Sequence, residues 1–215
     1  MLKKAETVVL VHGIWMTGLD MTLLQHRLKQ CGFKPVLFSY PTIHCNLKHN
    51  AARLQRFVQK LDADTVHFVA HSLGGLLVRQ FFHDYPDQRP GRVVTLGTPH
   101  SGSRVARRMG SNPFGKILLG KSFVHGLRGD VPPWQGGREL AVFAGNVSVG
   151  VGRLIQQLPK PNDGTVAVKE TVLPGMSKHQ VFETTHMGLL FSKEVAQAAC
   201  NFLLADGTNN QEQLI

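Results

Sequence analysis

Ser72 stands in the run Ala70-His71-Ser72-Leu73-Gly74, where a strand pattern gives way to a helix pattern. Residues 65–70 are largely β-branched or apolar, and Leu73, Leu76, Leu77 and Phe81 then recur at helical spacing. A serine at such a junction, with a small residue two before and two after, reads as a nucleophile elbow. The turn is so tight that bulky neighbours would clash. The serine takes a strained backbone conformation that holds its oxygen clear of the sheet. The backbone amides there and the start of the next helix then face a developing negative charge. Taken alone, the same string would serve as a serine N-cap on an ordinary helix. The rest of the chain has to decide.

A serine nucleophile needs a base, and the base needs an orienting acid. Of the eleven histidines, His186 follows the short last strand, where a loop can swing its imidazole over the elbow. Asp163, in Pro-Asn-Asp-Gly, falls between the fifth strand and His186. Asn-Asp-Gly is also a plain turn signal. Asp130, Glu139, Glu170 and Glu183 are the other carboxylates in range, and Glu183 is the main rival. An oxyanion needs two backbone donors. The amide of Leu73 is one. The amide of Ile14 is the other, because Gly13 in His12-Gly13-Ile14-Trp15 lets the chain turn close to a reacting carbonyl. The loop Leu96-Gly97-Thr98-Pro99-His100 would lie beside the elbow, with His100 on the pocket wall rather than acting as the base. Trp15, Met16 and Met187 are the other expected walls, with core packing as the competing role for Trp15 and Met187.

Positioning these loops takes a regular scaffold. Strand patterns cover 7–11, 34–40, 65–70, 92–96, 140–144 and 180–183. Helix patterns cover 18–31, 47–61, 72–85 and 187–204, and a polar tail that frays begins at Gly207. The βαβα alternation predicts an α/β fold: a six-stranded, mostly parallel sheet flanked by helices, in a single domain over 1–215. In such a sheet, functional residues sit on loops at the carboxyl ends of the strands. Residues 101–138 break the rhythm. They are rich in Gly, Pro and Arg, with an apolar piece at 114–119, and read as a cap- or lid-like insertion.

The composition is that of a globular enzyme, with 42% hydrophobic and 18% charged residues. No apolar run reaches the length of a membrane span and no signal peptide is visible, so a cytoplasmic location is expected. Three cysteines without regular spacing argue against a disulfide framework or a zinc site, and read as reduced side chains. The net charge of +10 includes a cluster at Arg104, Arg107 and Arg108. Nucleic-acid binding lacks any zinc spacing or RNP-like aromatic motif. Solubility is the plainest role for the charge. Peripheral contact with an anionic membrane is the other, since the arginines share the insertion with the 114–119 segment.

The segments VVLVHGIW, VAHSLGG, VVTLGTPHSGS, NDGTVAV and THMGLLFSKEV together resemble the α/β-hydrolase superfamily, and within it the small bacterial lipases and esterases. Ala70 stands where the usual elbow has glycine, a variant seen in the small lipases. The order Ser72, Asp163, His186 is that of the family. The resemblance implies a minimal six-stranded sheet, and Ser72 as nucleophile, His186 as base and Asp163 as acid. It also implies oxyanion amides from Ile14 and Leu73, and hydrolysis of a carboxylic ester without a cofactor. Thioester or amide hydrolysis, or acyl transfer, would use the same triad. A non-catalytic lipid- or partner-binding protein of this fold would have no physical need for the whole set.

Overall fold

Four strands are buried along their whole length: β1 (Thr7–Val11), β3 (Val66–His71), β4 (Val93–Leu96) and β5 (Leu140–Gly145). That is possible only where helices cover both faces of a sheet. β2 (Lys34–Phe38) and β6 (Lys178–Phe182) carry exposed residues and form the edges. The computed structural model describes residues 6–135, 137–150 and 158–205; the tail from Gly207 lies outside them. The sheet order is β2-β1-β3-β4-β5-β6, and every pairing is parallel. The loops that follow the strands therefore share one end of the sheet.

Successive side chains of a strand point to opposite faces, which builds two cores. On one face Val9, Val11, Phe68 and Val142 pack with α2 (Leu47–Gln59) and α3 (Leu73–Asp84). On the other, Val8, Leu10, Val69 and Phe143 pack with α1 (Thr22–Gln30) and the last helix. Asn46 caps α2, its side chain accepting the His49 amide at 2.9 Å.

The insertion folds into short pieces. α4 (Arg104–Met109) and α5 (Pro113–Leu119) are capped by Ser103 and Asn112. A 3₁₀ turn at Gly120–Ser122 and a π turn at Phe123–Leu127 follow. Arg79 of α3 anchors the segment, donating to the carbonyls of His100 at 2.7 Å and Val131 at 2.9 Å. A four-residue helix, α6 (Val168–Thr171), was too short for periodicity to reveal.

The expected helix over 187–204 is broken. Ser192 is extended, at φ −73° and ψ 130°, and separates α7 (Gly188–Phe191) from α8 (Lys193–Leu204). Its hydroxyl accepts the Val195 amide at 3.3 Å, so the serine caps the second helix instead of continuing the first.

The expectation of three reduced cysteines is corrected. Cys31 and Cys200 form a disulfide across 169 residues, with Cα atoms 6.3 Å apart, and only Cys45 is free. The cause is tertiary: α1 and α8 lie side by side on one face, which spacing in the chain does not show. The cysteine argument for a reducing compartment goes with it. Among the described residues, no helix is long and apolar enough to cross a membrane.

Candidate active site

β3 runs straight into α3 through Ser72, which has φ 51° and ψ −119°. A non-glycine residue at positive φ costs roughly 1–3 kcal/mol and persists only where its surroundings hold it. Here they do. The Ser72 amide donates to the Leu96 carbonyl at 2.9 Å, and the Ser72 carbonyl accepts the Thr98 hydroxyl at 3.0 Å. The need for small neighbours is also visible. A Cβ on Gly74 would lie 2.4 Å from the Val11 carbonyl oxygen, and one on Gly75 2.1 Å from the Thr98 hydroxyl. The helix start thus presses against the ends of β1 and β4, which fixes the serine at the carboxyl end of the sheet.

His186 arrives on the loop after β6. Its amide donates to the Asp163 carbonyl at 2.9 Å, and its Nδ1–H donates to Asp163 Oδ2 at 2.7 Å. Asp163 is 1% exposed, and its Oδ1 accepts the amides of Thr165 at 2.9 Å and Val166 at 2.7 Å. The carboxylate is therefore held at both oxygens. With Nδ1 engaged, Nε2 is the ring nitrogen left to accept a proton. The rival acid, Glu183, is exposed.

Ser72 and His186 line one cavity of about 190 Å³. Trp15, Met16 and Met187, three of the four expected wall residues, line it too, and so does Ile14. Much of its remaining wall is apolar and comes from the insertion: Val105, Ala106, Met109, Leu119 and Leu127. The amides of Ile14 and Leu73 meet no protein acceptor among the described residues, which leaves both available to a ligand. Leu73 is the first residue of α3, so the positive end of that helix lies at the same place.

His100 is not on this wall; Pro99 is. His100 is 3% exposed, and its Nε2 bonds the Thr95 hydroxyl at 3.1 Å. Burial, and then the nearby Arg79 charge, push its pKa down to about 3. It is a neutral core histidine that turns the loop after β4. His12 is also structural. Its ring stacks on Tyr40 at 4.5 Å, and its Nδ1–H donates to the Gly13 carbonyl at 2.9 Å.

Sequence reasoning passed over His71. Its ring lies 4.7 Å from that of His186, and its Nε2–H donates to the His186 carbonyl at 3.1 Å. Burial, and secondarily His186, hold His71 well below the ordinary histidine range. A neutral His71 places no positive charge beside the His186 ring. Position next to Ser72 was the only signal that could have marked it. Nothing in the chain marked Thr165 and Val166, which act through their amides.

Residues 8–164 match the model of the alpha/beta hydrolase family. The chain belongs to that family. Among solved structures, the lipase BlEst2 of Bacillus licheniformis in its mature form superposes with a TM-score of 0.78 at 20% identity, over 93% of this chain and 92% of that one. A metagenomic carboxyl esterase, MGS0156, gives 0.66 at 19% identity, over 85% of this chain and 64% of its own. The monoacylglycerol lipase of Paleococcus ferrophilus gives 0.63 at 16% identity, over 94% and 95%. At these identities the likeness is one of fold. No curated protein matches the chain in sequence.

Proposed function

We propose that the protein is a serine hydrolase of carboxylic esters, with Ser72 as nucleophile, His186 as base and Asp163 as the orienting acid. The observation that carries this reading is the buried 2.7 Å bond from His186 to Asp163, made by a ring that shares an apolar cavity with a strained serine. The lipase and esterase structures of the same fold agree with it.

In this reading each residue has one role. Asp163 keeps the His186 proton on Nδ1, so Nε2 takes the Ser72 proton as the oxygen attacks the ester carbonyl. The Ile14 and Leu73 amides stabilise the tetrahedral oxyanion, worth roughly 3–4 kcal/mol for one good donor. His186 then gives its proton to the departing alcohol, and water repeats the cycle on the acyl-enzyme. The insertion supplies the apolar wall for an acyl chain. A Cys31–Cys200 disulfide persists where thiols are oxidised, so this reading goes with an oxidising compartment.

The test is hydrolysis of p-nitrophenyl esters, from short to long acyl chains, by wild type and Ser72→Ala. Wild type turns over, and the variant loses at least about a thousandfold in kcat/KM, because triad members act as a unit. A smaller loss removes Ser72 from the nucleophile role. No turnover by folded wild type on any ester removes the ester reading.

A further inference from the structure

The apolar residues left in water are concentrated at the reactive end of the sheet. In α5, Phe114 is 71% exposed, Ile117 74% and Leu118 38%; spaced three and four apart, they share one helix face. The helix is not detached. Its other face is buried through Gly115 and Leu119, and a Cβ on Gly115 would lie 1.9 Å from the Met109 carbonyl oxygen. The outward face is therefore held in place and left without a partner among the described residues. Trp15, 52% exposed, extends it. Its indole N–H donates to the Leu118 carbonyl at 2.9 Å, and its side chain also lines the mouth of the Ser72 cavity.

Charge surrounds this face. Residues 101–130 contain six arginines and lysines and a single acidic residue, Asp130: a net +5 out of the chain's +10. Arg104, Arg107, Arg108, Lys116, Lys121 and Arg128 are exposed.

We propose that this face docks on an anionic lipid surface, with α5 and Trp15 entering the headgroup region and the basic residues meeting the lipid charges. The combination selects the occupant. A nucleic acid would use the cations and leave Phe114, Ile117 and Leu118 in water. A second copy of the chain, packed face to face, would set the same positive field against itself. An anionic bilayer satisfies both halves, apolar side chains at the acyl boundary and cations at the surface. The cavity mouth then opens toward the membrane, and a lipid ester can reach Ser72 without crossing bulk water. That last consequence rests on the serine-hydrolase reading; the docking does not.

The experiment is co-sedimentation of the full chain with phosphatidylglycerol–phosphatidylcholine vesicles and with phosphatidylcholine alone, at low and high salt. Two double variants accompany wild type, Phe114→Ala with Ile117→Ala and Arg108→Glu with Lys116→Glu. Melting temperature serves as the folding control, and turnover of soluble p-nitrophenyl acetate as the activity control. Wild type binds the anionic vesicles at low salt, is released by high salt, and binds phosphatidylcholine at least about tenfold more weakly. Each double variant weakens anionic binding about tenfold or more, while melting and acetate turnover stay unchanged. Absence of binding at low salt, equal binding to both vesicles, or binding untouched by either variant overturns the proposal. So does wild-type self-association that Phe114→Ala with Ile117→Ala abolishes, which would give the face to a second copy. Loss of acetate turnover in wild type would instead count against the hydrolase reading, whatever the vesicles show.

Discussion

Two histidine–carboxylate pairs sit at opposite ends of the same sheet and look alike on distance alone. At the carboxyl end, His186 Nδ1 meets Asp163 at 2.7 Å; at the amino end, His67 Nε2 meets Glu6 at 2.8 Å. Both rings are buried, at 8% and 3% exposure. The difference lies in the second nitrogen. His67 Nδ1 accepts the Arg92 amide at 3.0 Å, so both its nitrogens are used, and the ring ties together the starts of β1, β3 and β4. His186 keeps Nε2 for the cavity that holds Ser72. The amino end also has a cleft, of about 430 Å³, lined by Glu6, His67, Arg92, Arg138 and Glu139. Among the described residues its lining holds no serine or cysteine, and its charges are engaged: Arg92 pairs with Glu139, and Arg138 lies over the Phe82 ring. A carboxylate–imidazole pair is thus a clamp or a proton relay according to what its remaining nitrogen faces.

The same chemical change at each end separates the two roles. Asp163→Asn presents an amide to His186 that can donate where the carboxylate accepted. The imidazole proton then moves to Nε2, the base is lost, and kcat/KM falls roughly 10³–10⁴-fold, by analogy with the serine-protease aspartate. Glu6→Gln leaves ester turnover within about twofold and lowers stability by about 1 kcal/mol, the worth of one hydrogen bond. Glu183→Gln changes neither. Ester kinetics and urea melts on the three variants check this. A large kinetic loss in Glu183→Gln with Asp163→Asn intact would move the acid to the rival carboxylate.

The two faces of the sheet differ as well. No disulfide ties α2 and α3, whereas α1 and α8 are linked through Cys31–Cys200. Cross-linking two residues at a sequence separation of 169 removes much of the freedom of the unfolded chain. Cys31→Ser therefore lowers stability by about 2–5 kcal/mol and leaves turnover at room temperature unchanged, since neither cysteine lines the cavity. Wild-type melting that does not respond to reductant would remove the bond from the account.

What the chain disclosed by itself was the periodic part. All six strands, the chain order of Ser72, Asp163 and His186, and the cavity-lining Trp15, Met16 and Met187 were readable, because strand patterns and the loops that follow them are local signals. Features fixed by tertiary contact or by the backbone were not. The disulfide depends on two helices meeting far apart in sequence. The pins on Asp163 are backbone amides of Thr165 and Val166, which side-chain types do not announce. The break at Ser192 falls inside a run whose apolar spacing continues on either side of it. His100 shows the opposite error. A histidine on a loop beside the elbow looked like a wall residue, but its ring turns inward to Thr95.

That inward turn sets the smallest effect and its pH range. His100 in the fold has a pKa of about 3, against an ordinary value of 6.5 in the unfolded chain. Above 6.5 neither state holds the proton and the group contributes nothing to pH dependence. Below 6.5 the unfolded chain takes up a proton that the fold refuses, so stability falls as pH drops from 6.5 toward 3. The slope is about 1.4 kcal/mol per pH unit for one histidine. His71, also lowered by burial, acts in the same direction. His100→Gln keeps a donor near the Thr95 hydroxyl and removes the titration. Urea midpoints measured between about pH 6.5 and 4 should then show the variant's slope reduced by roughly one proton relative to wild type. Equal slopes would mean that His100 takes up its proton in the folded state, and that burial there is looser than at His71.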